Sequence, residues 1–223
     1  MSGPGGAAAR GTGAETVLVP PSRLERWVVN FRARHGAMAL AVAGGALSGA
    51  AEDSSTFTAR LPFDAAYAGL PDPVAFAAGA TTPDDWGLLL VRKGGFAVAR
   101  LSGGATVASK VGQRHVQGRT KAGGQSQQRF ARRRDNQARQ AYEAAADHAA
   151  RLLGDLRGPL VGGGDRTAVE EVLADPRLRR LVPVEPWLPV PDPRRAVLEQ
   201  AARDAAAVRV TVVNAAAEPG EAT

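Results

Sequence analysis

The chain has 223 residues, carries a net charge of +6 and contains no cysteine. That length buries a real core, as one domain or as a domain with a lobe. The missing cysteine excludes disulfide scaffolds, thiol nucleophiles and thiolate metal sites, and it fits a reducing cytoplasm.

In chain order, Met1 to Ala14 is small and polar and reads as a disordered tail without the apolar segment of a secretory signal. Pro20, Pro21 and Ser22 mark a helix start. Leu24, Trp27, Val28 and Phe31 then recur at helical spacing, which predicts an amphipathic helix over 22–35. Ala37 to Ala51 is the most apolar run, yet Gly44, Gly45 and Gly49 break it and it is too short to cross a bilayer. Within it Ala39 to Ala43 reads as a strand, and Thr56 to Leu61 as another. Residues 62–85 read as a long connection with one short helix.

From Trp86 the pattern sharpens. Leu88 to Val91 is continuously apolar, as a strand covered on both faces is. Gly94-Gly95 and Gly103-Gly104 are turns, so Trp86 to Thr120 predicts three antiparallel strands. A helix of about 28 residues and 40 Å follows from near Ser126. Its apolar stripe is Phe130, Ala138, Ala141, Tyr142, Ala145, Ala149, Leu152 and Leu153, ended by Gly154 and Gly158. Leu160-Val161 is a short strand. Gly162 to Gly164 form a turn, and Asp165 caps a helix over 166–174. Leu181 to Val184 is a strand, Pro186 to Pro193 a proline-broken connection, and 196–207 a helix. Residues 208–213 are a strand or a helix end, and 215–223 a second tail. The sum is an α/β fold with a mixed sheet flanked by helices, in which residues 15–85 form an N-terminal lobe beside a main domain over 86–214.

The chemistry concentrates in Gly118 to Arg134, GRTKAGGQSQQRFARRR. Gly123 and Gly124 let the backbone approach a ligand closely. Gln125 follows, with Gln127 and Gln128 behind it. From Leu101 to Arg134 the chain holds eight cations and no acid, so the rest nets −2. Such segregation is the footprint of a nucleic-acid binder, whereas a merely solvated helix face intersperses acids. Arg129, Arg132 and Arg133 share a face by three-and-four spacing and suit phosphates. Arg134 serves either a phosphate or a structural ion pair. Arg119 and Lys121 stand on the other side of the loop.

The run Gly123-Gly124-Gln125-Ser126, followed by Arg129-Phe130-Ala131-Arg132, resembles the GGQ loop and helix start of the class I translation termination factors of eukaryotes and archaea. The resemblance covers about 86–213, their catalytic middle domain with its RNase H-like, ribosomal-protein-like fold. No segment resembles their codon-reading or third domains. The GRT before the glycines and SQQRFARRRDNQ after them are most similar to the Vms-like release factor (VLRF) family, in its actinobacterial branch. The resemblance implies a peptidyl-tRNA hydrolase, monomeric and cytoplasmic. It would release nascent chains from stalled ribosomal large subunits, with peptidyl-tRNA and ribosomal RNA as partners and with no cofactor, metal or membrane. In the termination factors the catalytic glutamine maps to Gln125. In VLRF proteins it sits one place later, after Gly-Gly-Ser. Ser126 occupies that place here, so a loop shifted by one residue would bring Gln127 into play.

Ester hydrolysis needs a water held in line with the carbonyl and donors where negative charge develops. A glutamine is no base at neutral pH, but its amide or backbone groups can position a water. Proton transfer then falls to the substrate, through the ribose hydroxyl of the terminal adenosine, inside the ribosome's own peptidyl-transferase centre. Two further readings stand beside this one: a nuclease cutting near the tRNA 3′ end, and a non-catalytic RNA-binding module. Elsewhere the signals are structural. Gly162 to Asp165 lacks the Gly-Lys-Ser/Thr ending of a phosphate loop. Asp84-Asp85 has no further ligands nearby. His35 reads as a helix end, His115 as a hydrogen-bonded surface residue and His148 as remote from the loop. Trp27, Trp86 and Trp187 read as core or interface anchors.

Overall fold

A computed structural model describes residues 14–113 and 125–215, with the side chains of Gln113 and of 125–138 outside the description. The chain divides into two units. One comprises Met1–Leu61, Ala65–Ala80 and Val208–Thr223, the other Pro62–Asp64 and Thr81–Ala207.

The first unit holds β1 (Glu15–Val19), α1 (Leu24–His35), β2 (Met38–Ala43), β3 (Ala46–Ala51), β4 (Thr56–Arg60), α2 (Pro73–Ala78) and, from the far end of the chain, β10 (Val208–Val213). Its sheet runs β1-β10-β4-β3-β2, antiparallel throughout. The expected helix over 22–35 is present, entered through a 3-10 turn at Pro21–Arg23 and ended by Gly36 at φ 91°. The expected strand over 39–43 is present as β2, and the rest of the apolar run forms β3, so the run is a hairpin. Gly44 and Gly45, at φ 55° and 74°, supply the left-handed pair that a tight hairpin turn needs. Leu24, Val28 and Phe31 pack on Leu47, Phe57, Ala59, Val208 and Val210. Phe57 meets Trp27 and Phe31 edge-on, each at 5.2 Å. Gly49 stands opposite Phe57, whose ring occupies the space a Cβ would need. Asp72 caps α2 by accepting from Ala75 N at 2.7 Å.

The second unit holds β5 (Trp86–Arg92), β6 (Gly95–Ser102), β7 (Ala105–Gln113), α3 (Gln125–Leu153), β8 (Leu160–Gly164), α4 (Arg166–Leu173), β9 (Pro183–Leu188) and α5 (Arg195–Ala205). Its sheet runs β7-β6-β5-β8-β9. The predicted antiparallel triplet lies on one side, and β8 and β9 run parallel to β5 on the other. This is the expected mixed sheet flanked by helices. Leu89, Val91, Phe96 and Val98 pack against Ala145, Ala149 and Leu153 of α3 and Val169 and Val172 of α4. α5 contacts β5, β6 and β9, burying Leu198, Ala201 and Ala205. Cover on both faces explains the uninterrupted Leu88–Val91 run.

Three local expectations differ. Gly162 and Gly163 belong to β8 rather than to a turn. The Trp187 ring lies on Gly162, and the Leu188 carbonyl and Leu90 side chain crowd Gly163, so only glycine fits in that part of the strand. β9 runs through Pro186, which the sequence assigns to a connection, because β9 is an edge strand and a missing N–H costs no pairing there. Residues 208–213 follow the main domain in sequence, but they pair with β1 and β4 in the first unit's sheet.

Candidate active site

Among the described residues β7 is an edge strand that pairs only with β6, and it precedes the glycine stretch in sequence. Arg119, Lys121, Gly123 and Gly124, together with His115, lie outside the described residues. The description resumes at Gln125, which is the first residue of α3. The described helical span takes in the expected start near Ser126.

The backbone of α3 is helical from Gln125 to Leu153. Its described buried positions are Ala141, Ala145, Ala146, Ala149 and Leu153, and Tyr142 and Leu152 pack at the margin. These match the C-terminal part of the predicted stripe. Phe130 and Ala138, and the side chains of Gln127, Gln128, Arg129, Arg132, Arg133 and Arg134, lie outside the description. At 1.5 Å rise per residue, the sixteen steps from Gln125 to Ala141 span about 24 Å of axis. The first four residues of the described span, Gln125 to Gln128, include no acid.

α3 is anchored at its other end. Arg100 of β6 binds Asp85 and Asp155 together, and Asp85 also accepts from Arg157 N at 3.0 Å. The Arg100 hydrogen bonds, ahead of the one from Arg157, hold the Asp85 carboxyl below its ordinary range. Asp85 is thus a structural anion, in keeping with the reading that the aspartate pair is no metal site. Sequence reasoning missed Arg100 as its partner. Within β6 it is one cation in an apolar strand, and its two acids lie 15 and 55 residues away.

The remaining single features resolve as structural. His148 accepts at Nδ1 from Arg151 Nη2 at 2.8 Å, and its ring sits 5.6 Å from Phe96. Burial, then the charges of Arg151 and Lys110, push the imidazole below its usual value, so it is neutral. His35 ends α1 and binds Asp53 at 2.8 Å. Asp165 caps α4 through Ala168 N, as expected, although the glycines before it are strand rather than turn. Arg166, next along, lies 4.2 Å over the Trp187 ring beside a groove of about 440 Å³. Trp86 is buried with its Nε1 donating to Gly103 O at 2.9 Å, and Trp27 packs in the first unit's aromatic cluster. No described helix is long and apolar enough to cross a membrane.

A family model described as acVLRF1, Actinobacteria/chloroflexi VLRF1 release factor, matches residues 84–211. No curated protein matches the chain.

Proposed function

The chain belongs to the Actinobacteria/chloroflexi VLRF1 release factor family, whose model covers more than half of it, and from that premise we propose that it is a peptidyl-tRNA hydrolase. Membership ties it to translation and to the ribosome. In the proposed reading it is a cytoplasmic monomer that frees nascent chains from stalled large subunits by directing a water onto the tRNA ester.

The observation that carries this reading is the position of the GGQ stretch. It lies wholly within the matched span, and Gln125 stands in the helical span that continues into α3. Gly123 and Gly124 would let Gln125 enter the peptidyl-transferase centre. The amide, or the backbone beside it, would hold a water in line with the ester carbonyl carbon. The water oxygen adds, a tetrahedral oxyanion forms, and the 3′ oxygen leaves with a proton relayed by the adenosine hydroxyl. Gln127 is the alternative residue for the same role. Arg119, Lys121, Arg129, Arg132, Arg133 and Arg134 would hold tRNA and ribosomal RNA phosphates, which position the loop without reading sequence.

The deciding experiment incubates the protein with stalled large-subunit complexes carrying labelled peptidyl-tRNA, then sequences the tRNA 3′ end. Free peptide with an intact CCA end supports ester hydrolysis. A shortened tRNA replaces this reading with a nuclease, and binding without release replaces it with a non-catalytic module.

A further inference from the structure

Most of the first unit precedes the residues matched by the family model, and four of its seven cations, Arg23, Arg26, Arg32 and Arg34, lie in α1 or at its N-cap. α1 buries Leu24, Val28 and Phe31. Arg23, Arg26, Asn30 and Arg34, at spacings of three, four and four, form one line on its exposed side. Over that length the line spans about 16 Å of helix axis. Arg32 lies on the opposite flank.

Among the described residues, none of Arg23, Arg26 or Arg34 makes an ion pair or a side-chain hydrogen bond. Several of this unit's acids are committed elsewhere. Asp53 binds His35 and Ser55, Glu52 accepts from Ala37 N, and Asp72 caps α2. Helix stability does not explain the line either. Cations are favoured in the last turn, which accounts for Arg34, but Arg23 is the N-cap residue and Arg26 lies in the first turn. There they face the positive end of the helix dipole. Glu25 is the first turn's acid, but among the described residues it makes no ion pair with Arg23 or Arg26, and an arginine row left unpaired in this way points to an anion supplied from outside. A row of guanidinium forks matches a row of phosphates.

We propose that α1 docks the first unit on the phosphodiester backbone of ribosomal RNA through Arg23, Arg26 and Arg34. This rests on the reading that the protein works on large subunits. The tRNA end already has the cations of 119–134, so a second and separate row suits the surface that offers many phosphates.

The test uses the full chain carrying Arg23→Gln, Arg26→Gln and Arg34→Gln. A control removes the same charge from exposed residues of the other unit, with Arg179→Gln, Arg194→Gln and Arg203→Gln. Binding to vacant large subunits, to extracted large-subunit RNA and to free tRNA is measured against salt concentration. The α1 variant should bind both the subunits and the extracted RNA more weakly. Its slope of log affinity against log salt should be shallower by about 2 to 3, with the control near wild type. Wild-type affinity and slope for subunits overturns the proposal. Weakening on subunits but not on extracted RNA assigns the face to a ribosomal protein, and weakening on free tRNA alone assigns it to tRNA; either result overturns it. A lowered melting temperature moves the measurement to the single variants, each of which should lose about 0.7 to 0.9 of slope. Peptide release is scored in parallel. No release by wild type, with binding still lost in the α1 variant, removes the hydrolase reading and leaves the docking intact. Normal release with unchanged α1-variant binding does the reverse.

Discussion

Arg100 Nε donates to Asp85 Oδ1 at 2.8 Å while its Nη2 reaches Asp85 Oδ2 at 3.2 Å, a two-pronged pair joining β6 to the residue just before β5. The same guanidinium donates through Nη1 to Asp155 at 2.6 Å, in the turn that follows α3. One arginine thereby fixes the base of the helix whose other end carries Gln125. The Arg100 and Asp85 side chains are 26% and 30% exposed, so the pair outweighs a surface ion pair without being a buried one. Arg100→Gln should therefore cost about 1–2 kcal/mol, lowering the melting temperature by about 2–8 °C. Arg100→Lys keeps the charge and loses the fork, so it should recover only part of that. Thermal denaturation of the three proteins checks the order.

The same pair sets an acid response. Asp85 has its carboxyl held down in the folded chain by Arg100 and by Arg157 N. Its contribution to stability is therefore complete above the ordinary carboxylate value and is lost as pH falls through the lower, folded value. The gap in melting temperature between wild type and Asp85→Asn should be constant from neutral pH to about pH 5 and begin to narrow below about pH 4. A gap that does not narrow at all as pH falls further would show that Asp85 acts through packing rather than charge.

Two glycines give opposite expectations from space alone. At Gly49 a Cβ would collide with the Phe57 ring, which is itself wedged against Trp27 and Phe31. Gly49→Ala should destabilise by about 1–3 kcal/mol, the usual cost of overfilling a packed site. Gly104 has nothing within 4 Å of the Cβ position and no left-handed φ. Gly104→Ala should be neutral or should stabilise by up to about 1 kcal/mol, because it restricts the unfolded chain. Paired urea titrations distinguish the two.

Much of the second unit could be read from local pattern. The Leu88–Val91 run, the two glycine turns and the three-and-four spacing of Ala141, Ala145, Ala149 and Leu153 are all short-range signals, and each marks a real element. What escaped was non-local. β1 and β10 are short strands at opposite ends of the chain, and Val17 opposite Val210 is a pairing that no window of sequence contains. β3 was hidden because ALSGAA has almost no alternation, its Gly49 being set by Phe57 across the sheet. Gly162 and Gly163 imitate a turn for the same reason, with Trp187 and Leu188 dictating the missing side chains. At the candidate site the long helix was legible, since a polar, helix-forming run with an apolar stripe is a local signal. Arg23, Arg26 and Arg34 were visible as letters, but that they have no ion-pair partner among the described residues appears only in three dimensions.

The choice between Gln125 and Gln127 can be made by chemistry. A group that only positions water contributes through orientation and through donors to developing charge, and removing one such donor usually slows the step by about 10²–10³-fold. Gln125→Ala should lower single-turnover peptide release by that factor while leaving subunit affinity unchanged, because the amide carries no charge for phosphate. Gln127→Ala should lie within about threefold of wild type, as a small contribution from a neighbouring helix residue would. Gln125→Glu decides which atoms act. It keeps the shape but replaces the amide donor with a carboxylate beside a forming oxyanion, so a side-chain role predicts a loss at least as large as that of alanine. If the backbone beside Gln125 holds the water, both substitutions should release peptide at close to the wild-type rate. A large loss in Gln127→Ala with normal release by Gln125→Ala would shift the active residue two places into α3.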